Sequence, residues 1–413
     1  MSVRDGYKMT EVGEIPNEWD IKKLDSIVEK ITDGTHKTPI YTESGIPFLR
    51  VTDIQETCID WNNVKYISKQ EHDELTKRCK PEIGDILYSK NGTIGIPKII
   101  DWDKEFSIFV SLCLIKIKKS DSEVINKYLE KFLSSDCCLN QIKVRAKQGT
   151  VTNLHLEEIR ELIIPLPPLP EQQRIAEILS SNDALITKTD ELIEKTKEIK
   201  QGLMQELLTK GIGHTEFKDS ELGRIPKEWE VGLLTSIAEI IMGQSPTGDT
   251  YNEFKIGTPL LNGPTEFGRI NPTPVQWTTK PTKMCKPKDI LFCVRGSSTG
   301  RMNISDGEYC IGRGLAAIRN LEELSYTPYL FHLLGYIIEK VLALTGGTTF
   351  PNISGEALRS FKIAIPTLNE QQEIASVLSA IDNKLEALTK RKKQLEEIKQ
   401  GLMQDLLTGR VRV

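Results

Sequence analysis

Hydrophobic positions recur every seven residues in two separate stretches of this chain. In the later stretch Ile374, Ile381, Leu388, Leu395 and Leu402 keep that spacing, with Leu378, Leu385 and Leu406 on the companion positions. This is the seam of a helix packed lengthwise on another helix, interrupted by Lys392 and Lys399. In the earlier stretch Leu179, Ile186, Ile193 and Leu207 hold the same phase, beside Ile175 and Leu203. Other seam positions are polar, among them Asn182, Thr189 and Thr196. Pro168 and Pro170 suit a helix start, while Gly211, Gly213 and Gly409 suit helix ends. Each helix is expected to run for about 39 residues, about 58 Å at the α-helical rise. A single apolar stripe of that length needs cover, and the simplest cover is the other copy, laid antiparallel.

Between these stretches the pattern is mixed. Ile83–Tyr88, Phe109–Ile117, Ile290–Val294 and Phe361–Ile365 read as strands, and Val124–Leu133 and Pro328–Leu344 as helices. Turn pairs separate them at Asp33-Gly34, Asn91-Gly92, Arg295-Gly296 and Gly346-Gly347.

The two stretches are copies. Leu169-Pro-Glu-Gln-Gln173 matches Leu368-Asn-Glu-Gln-Gln372, and Glu198-Ile-Lys-Gln-Gly-Leu-Met-Gln205 matches Glu397-Ile-Lys-Gln-Gly-Leu-Met-Gln404, at one offset without gaps. The likeness extends backward more weakly. Glu11-Val-Gly-Glu-Ile-Pro-Asn-Glu-Trp19 matches Glu221-Leu-Gly-Arg-Ile-Pro-Lys-Glu-Trp229, and Gly84-Asp-Ile-Leu87 matches Lys288-Asp-Ile-Leu291. Gly149, Thr150 and Asn153 recur as Gly347, Thr348 and Asn352 with one residue inserted. The repeated unit is a lead-in motif ending in Trp, a globular domain, a Pro-rich exit and a long helix. The divisions expected are 1–166, 167–213, 214–366 and 367–413. Gly202 and Gly401 share one place mid-helix, where Gly costs about 1 kcal/mol against Ala. Either the helices approach closely there or something docks there, or duplication simply carried the residue along. The helices stayed alike while the domains diverged, as suits one scaffold carrying two different readers.

Composition narrows the class. The chain has 413 residues, enough for two ordinary domains. No apolar run is long enough to span a membrane, and the N-terminus has no signal-peptide core, so a cytoplasmic protein is expected. Eight cysteines lack any C-x-x-C pair and are expected as thiols. The net charge of -4 does not advertise a nucleic-acid binder. Yet residues 267–288 contain no acid, only Arg269, Lys280, Lys283, Lys286 and Lys288, and residues 137–156 carry Lys143, Arg145 and Lys147 without acid. Such local faces can dock a phosphate backbone.

Catalytic motifs are missing from the sequence. There is no phosphate loop, no Asp/Asn-Pro-Pro-aromatic tetrad, no dinucleotide fingerprint, and no metal spacing among the five histidines. No cofactor or metal site is expected in this chain. What stands out is polar loops with donors. In the first half these carry Thr35, His36 and Lys37; Lys90, Asn91 and Thr93; and Lys147, Gln148 and Thr150. In the second half they carry Gln244 and Ser245; Arg295, Ser297 and Ser298; Arg313; and Thr348 and Thr349. These side chains are the types that contact phosphates and base edges, and they also make ordinary turns. A structural adaptor, or a DNA-modifying enzyme with a cryptic site, remains an alternative on residues alone.

The whole chain resembles the specificity subunits of type I restriction–modification systems. The resemblance rests on the lead-in ending at Trp19 and Trp229, on Leu-x-Glu-Gln-Gln before each helix, and on Ile-Lys-Gln-Gly-Leu-Met-Gln closing each helix. Asp33-Gly-Thr-His36, Gly243-Gln-Ser-Pro246 and Gly347-Thr-Thr-Phe-Pro-Asn352 also resemble segments frequent in that family. It implies an α+β chain with two mixed α/β target recognition domains. These would be related by pseudo-two-fold symmetry and separated by two long antiparallel coiled-coil-like helices. Each domain would read half of a bipartite double-stranded DNA target, and the helices would set the spacing. Two modification subunits would dock on the helices and bring S-adenosylmethionine. Restriction subunits would bring ATP and Mg. Base-reading residues and the target sequence are not fixed by the resemblance.

Overall fold

A computed structural model describes residues 3–55, 58–120, 122–145, 153–344 and 352–413. Four helices organise it: α1 (Asn126–Leu133), α2 (Leu169–Lys210), α3 (Thr327–Leu344) and α4 (Leu368–Leu407). The two long ones have 42 and 40 residues, matching the seven-residue pattern. Gly211 and Gly409 follow them with φ of 68° and 69°, a left-handed stop that β-carbon-bearing residues resist. The chain divides into two units, residues 1–190 with 391–413, and residues 191–390. Each unit holds one globular domain and a part of both long helices.

In unit 1, domain 1 is built on an antiparallel sheet of β1 (Lys30–Asp33), β2 (Ile86–Ser89), β3 (Pro97–Ile99) and β4 (Leu112–Lys116), in the order β1-β4-β2-β3. Strand β2 is buried throughout and β4 nearly so, which is why both read as continuous apolar runs. One side of this sheet packs with α1 and the first turns of α2 around Trp19, Tyr128, Phe132 and Leu179. Leu402, Leu406 and Leu407 of α4 join the same cluster. Asp183 meets Lys399 at 2.6 Å and Asp190 meets Lys392 at 2.7 Å, so the two helices run antiparallel within this unit. The lysines that interrupt the sequence pattern are thus paired with aspartates of the other helix.

Unit 2 repeats the plan. Domain 2 has β5 (Ala238–Met242), β6 (Ile290–Cys293), β7 (Met302–Ile304) and β8 (Leu315–Asn320), in the order β5-β8-β6-β7. Its core gathers Trp229, Phe292, Tyr329 and Leu334 with Met204 and Leu208 of α2 and Ile374 and Leu378 of α4. Lys200 meets Asp382 at 2.6 Å, which ties α2 to α4 in this unit as well.

Seam burial is uneven. Leu179, Ile193 and Ile374 are buried, whereas Ile186, Leu207, Ile381, Leu388 and Leu395 are half-buried. The polar seam residues Asn182, Thr189 and Thr196 are buried as well. Both threonines donate to the carbonyl four residues back, which satisfies their hydroxyls inside the helix. A β-carbon on Gly202 or Gly401 would meet nothing within 4 Å. Close helix approach is therefore not the reason for either glycine. No helix among the described residues is long and apolar enough to cross a membrane. The cysteines are all free thiols, as expected.

Candidate nucleic-acid interface

Each domain is closed where its chain comes in and goes out. Asp20–Lys23 pairs with Ile163–Leu166, and Glu230–Leu233 with Lys362–Ile365. The repeated motifs act at these joints. The Trp19 indole N–H donates to Glu171 at 3.0 Å, and the Trp229 indole to Glu370 at 2.8 Å. The next residue is a buried glutamine. The Gln172 side-chain oxygen accepts from the Ile125 amide, and its amide nitrogen donates to the Glu123 and Pro167 carbonyls. Gln371 makes the same three bonds, to Tyr326, Leu324 and Pro366. Glu-Gln thus fastens each long helix to the tryptophan and to the short helix of its domain. The residues just past each long helix return to that joint: Arg412 donates to Glu171 at 2.9 Å, and His214 meets Glu370 at 2.9 Å.

The candidate loops gather at one end of each main sheet. In domain 1 the amide of Gly34 donates to the Leu112 carbonyl, Thr35 to Ile108, Lys90 to Ser111, and Leu154 to Lys90. In domain 2 Gly243 donates to Leu315, Gln244 to Ile311, Val294 to Gly314, and Ile353 to Val294. The matched bonds align Gly34 with Gly243, Lys90 with Val294, and Asn91 with Arg295. A β-carbon at Gly34 would collide with the Ile108 carbonyl, and one at Gly243 with the carbonyl of Gly312. Glycine is required at both places by close backbone approach.

The side chains at this end differ. In domain 1 Thr35 is half-buried and braces the turn, its hydroxyl donating to the Lys37 carbonyl and accepting from the Lys37 amide. His36 and Lys37 are exposed. Lys90 is buried against Asp33. Asn91 is half-buried, and its side-chain oxygen has no hydrogen-bond partner among the described residues. Thr93 is exposed and accepts from Gln55 at 3.0 Å. In domain 2 the Arg313 amide donates to the Ser245 hydroxyl at 3.1 Å, which joins two of the expected loops. Gln244, Arg295, Ser297 and Arg313 are exposed, and Ser298 is half-buried. Neither arginine has an ion-pair partner among the described residues. Lys147, Gln148, Thr150, Thr348 and Thr349 lie outside the described residues.

Two contributors were not legible as loop residues. The Thr282 hydroxyl donates to the Gln244 carbonyl, which brings the acid-free segment of Lys280 and Lys283 beside the domain 2 loops. Arg78 reaches Asp33 across 45 residues of sequence. The acid-free run signalled the first; no local pattern signals the second. At the opposite sheet end the charges are structural. Asp85 meets Lys116 at 2.9 Å and Asp289 meets Arg319 at 2.8 Å, and burial pushes the Asp85 carboxyl up. Among the described residues no cluster of His, Cys, Asp and Glu could hold a metal ion.

Known proteins resemble this chain in sequence and in fold. Residues 16–200 and 226–397 each match the family described as type I restriction modification DNA specificity domain. A Methanocaldococcus jannaschii protein named for the MjaX type I restriction enzyme specificity subunit is 38% identical, over 99% of this chain and 97% of its own. The MjaVIII specificity subunit of the same organism is 28% identical, over 99% and 96%. A structure solved for complex assembly and conformational transition of the type I R-M system superposes with a TM-score of 0.63. It has 23% identity and covers 96% of this chain and 99% of that one.

Proposed function

This chain belongs to the type I restriction–modification DNA specificity family, and on that premise we propose that it is the subunit that chooses the DNA sequence. Residues 1–166 and 214–366 each read one half of a bipartite double-stranded target. Residues 167–213 and 367–413 form the helices that set the spacing and dock two modification subunits. Methyl transfer from S-adenosylmethionine belongs to those partners. ATP- and Mg-dependent translocation and cleavage belong to restriction subunits. This chain recognises and performs no chemistry. In unit 1 a groove of about 770 Å³ between the Asp136–Arg145 helix and the end of α4 is lined by Asn140, Gln141, Gln400, Met403 and Gln404. Gly401 follows the lining residue Gln400 in the chain, and the groove suits a docking partner.

The observation that carries the reading is the matched sheet ends: one backbone frame, used twice, holding two different donor sets. Arg295 and Arg313 test it. In the complex assembled with modification subunits, reversing both to Glu should weaken DNA binding about tenfold or more. The slope of log affinity against log salt should fall by about one for each phosphate no longer neutralised. Unchanged affinity and slope would favour an adaptor that never touches DNA.

A further inference from the structure

Domain 1 contains a buried carboxylate that meets Arg78, Lys90 and His36, with no counterpart among the described residues of domain 2. The Asp33 side chain is 4% exposed. It lies 2.8 Å from the Nε2 of His36, meets the Arg78 guanidinium, and lies 3.6 Å from the Nζ of Lys90. Lys90 is buried beneath it, whereas the His36 and Arg78 side chains are 64% and 60% exposed. The Arg78 guanidinium and the Lys90 ammonium face one carboxylate, so basic groups outnumber the acid here. The remaining guanidinium N–H groups of Arg78 have no acceptor among the described residues.

The matched backbone bonds put Met242 where domain 1 has Asp33 and Val294 where it has Lys90. The same fold therefore closes this sheet end with two apolar side chains. Burying an ion pair is no shortcut to stability, because desolvation offsets the attraction and an apolar pair often serves as well. The charges in domain 1 are explained by what they hold in place. We propose that Asp33 is a positioning residue that aims Arg78 and His36 at a phosphate of the DNA backbone beside the half-site read by domain 1. Lys90 balances the carboxylate from below. The proposal rests on the reading of this chain as a DNA-recognition subunit.

Charge alone and positioning predict effects of opposite sign. Asp33→Asn deletes a negative charge from a DNA-facing surface, which on charge alone should tighten binding. Loss of aim should instead weaken binding about tenfold or more and flatten the salt slope by about one. The double variant D33M/K90V keeps the net charge and installs the domain 2 pair. It should melt like the parent and bind as weakly as Asp33→Asn. The measurement is fluorescence anisotropy of a target duplex with the assembled complex across about 50 to 200 mM salt, beside thermal melts of each variant. Binding as tight as the parent, or tighter, by either folded variant overturns the proposal. So does a double variant that cannot fold, since the pair would then be a structural requirement. Arg313→Glu in domain 2 separates the levels. If it weakens binding while both Asp33 variants do not, the clamp fails and the recognition reading stands. If none of the three changes binding, the recognition reading falls with it.

Discussion

At the loop end of the main sheet, domain 1 and domain 2 share four backbone hydrogen bonds and almost no side chains. Domain 1 closes that end with Asp33 and Lys90 and shows His36 and Arg78 to solvent; domain 2 closes it with Met242 and Val294 and shows Arg295 and Arg313. At the joints the opposite holds. Trp19 with Glu171 and Trp229 with Glu370 are the same bond made twice, and the neighbouring glutamines repeat three bonds each. Duplication left the attachments alike because both copies must seat a domain on the same kind of helix. The exposed loop ends drifted because the frame beneath them depends on backbone bonds and a glycine, not on their side chains.

If the joints are equivalent, damage there should be equivalent. Trp19→Ala and Trp229→Ala each remove a fully buried indole and are expected to lose about 3–5 kcal/mol of stability in their own unit. Denaturant unfolding checks this, and a large inequality between the two would break the comparison. A smaller difference between the units concerns acid. Lys131 of α1 meets Asp183 at 2.9 Å, and the corresponding place on α3 is His332, whose Nδ1 lies 3.8 Å from Asp382 with Lys200 on the same carboxylate. Burial lowers the His332 pKa from 6.5 to about 4. The folded unit therefore keeps a neutral ring where the unfolded chain takes a proton. Its contribution is complete above pH 6.5 and is lost as pH falls toward 4. His332→Lys should flatten that part of the melting-versus-pH curve; an unaltered curve would remove His332 as its source. The smallest expected effect is shared. Gly202→Ala and Gly401→Ala meet no obstacle and should each stabilise the free chain by about 1 kcal/mol. Methylation lost by either variant despite that gain would place a partner on the glycine.

Sequence patterning revealed the long helices to within a few residues, because seven-residue periodicity and flanking Pro and Gly are local signals. The strands around Ile86, Leu112, Ile290 and Lys362 were legible for the same reason. The joints were visible as motifs but not as bonds, since Trp19 and Glu171 lie 152 residues apart. Among loop residues, sequence singled out Lys90 as a DNA contact, and the fold buries it. Its buried partner is Asp33, which comes from another segment, and no linear pattern encodes that pairing.

If one scaffold carries two separable readers, either reader should work in either seat. Replacing residues 214–366 with a second copy of residues 1–166 uses joints that already match. Modified-base sequencing of DNA from cells carrying this chain and its modification subunits would reveal the target before and after. Both halves of the methylated motif should become the half read by domain 1. Retention of the original second half would contradict separable reading.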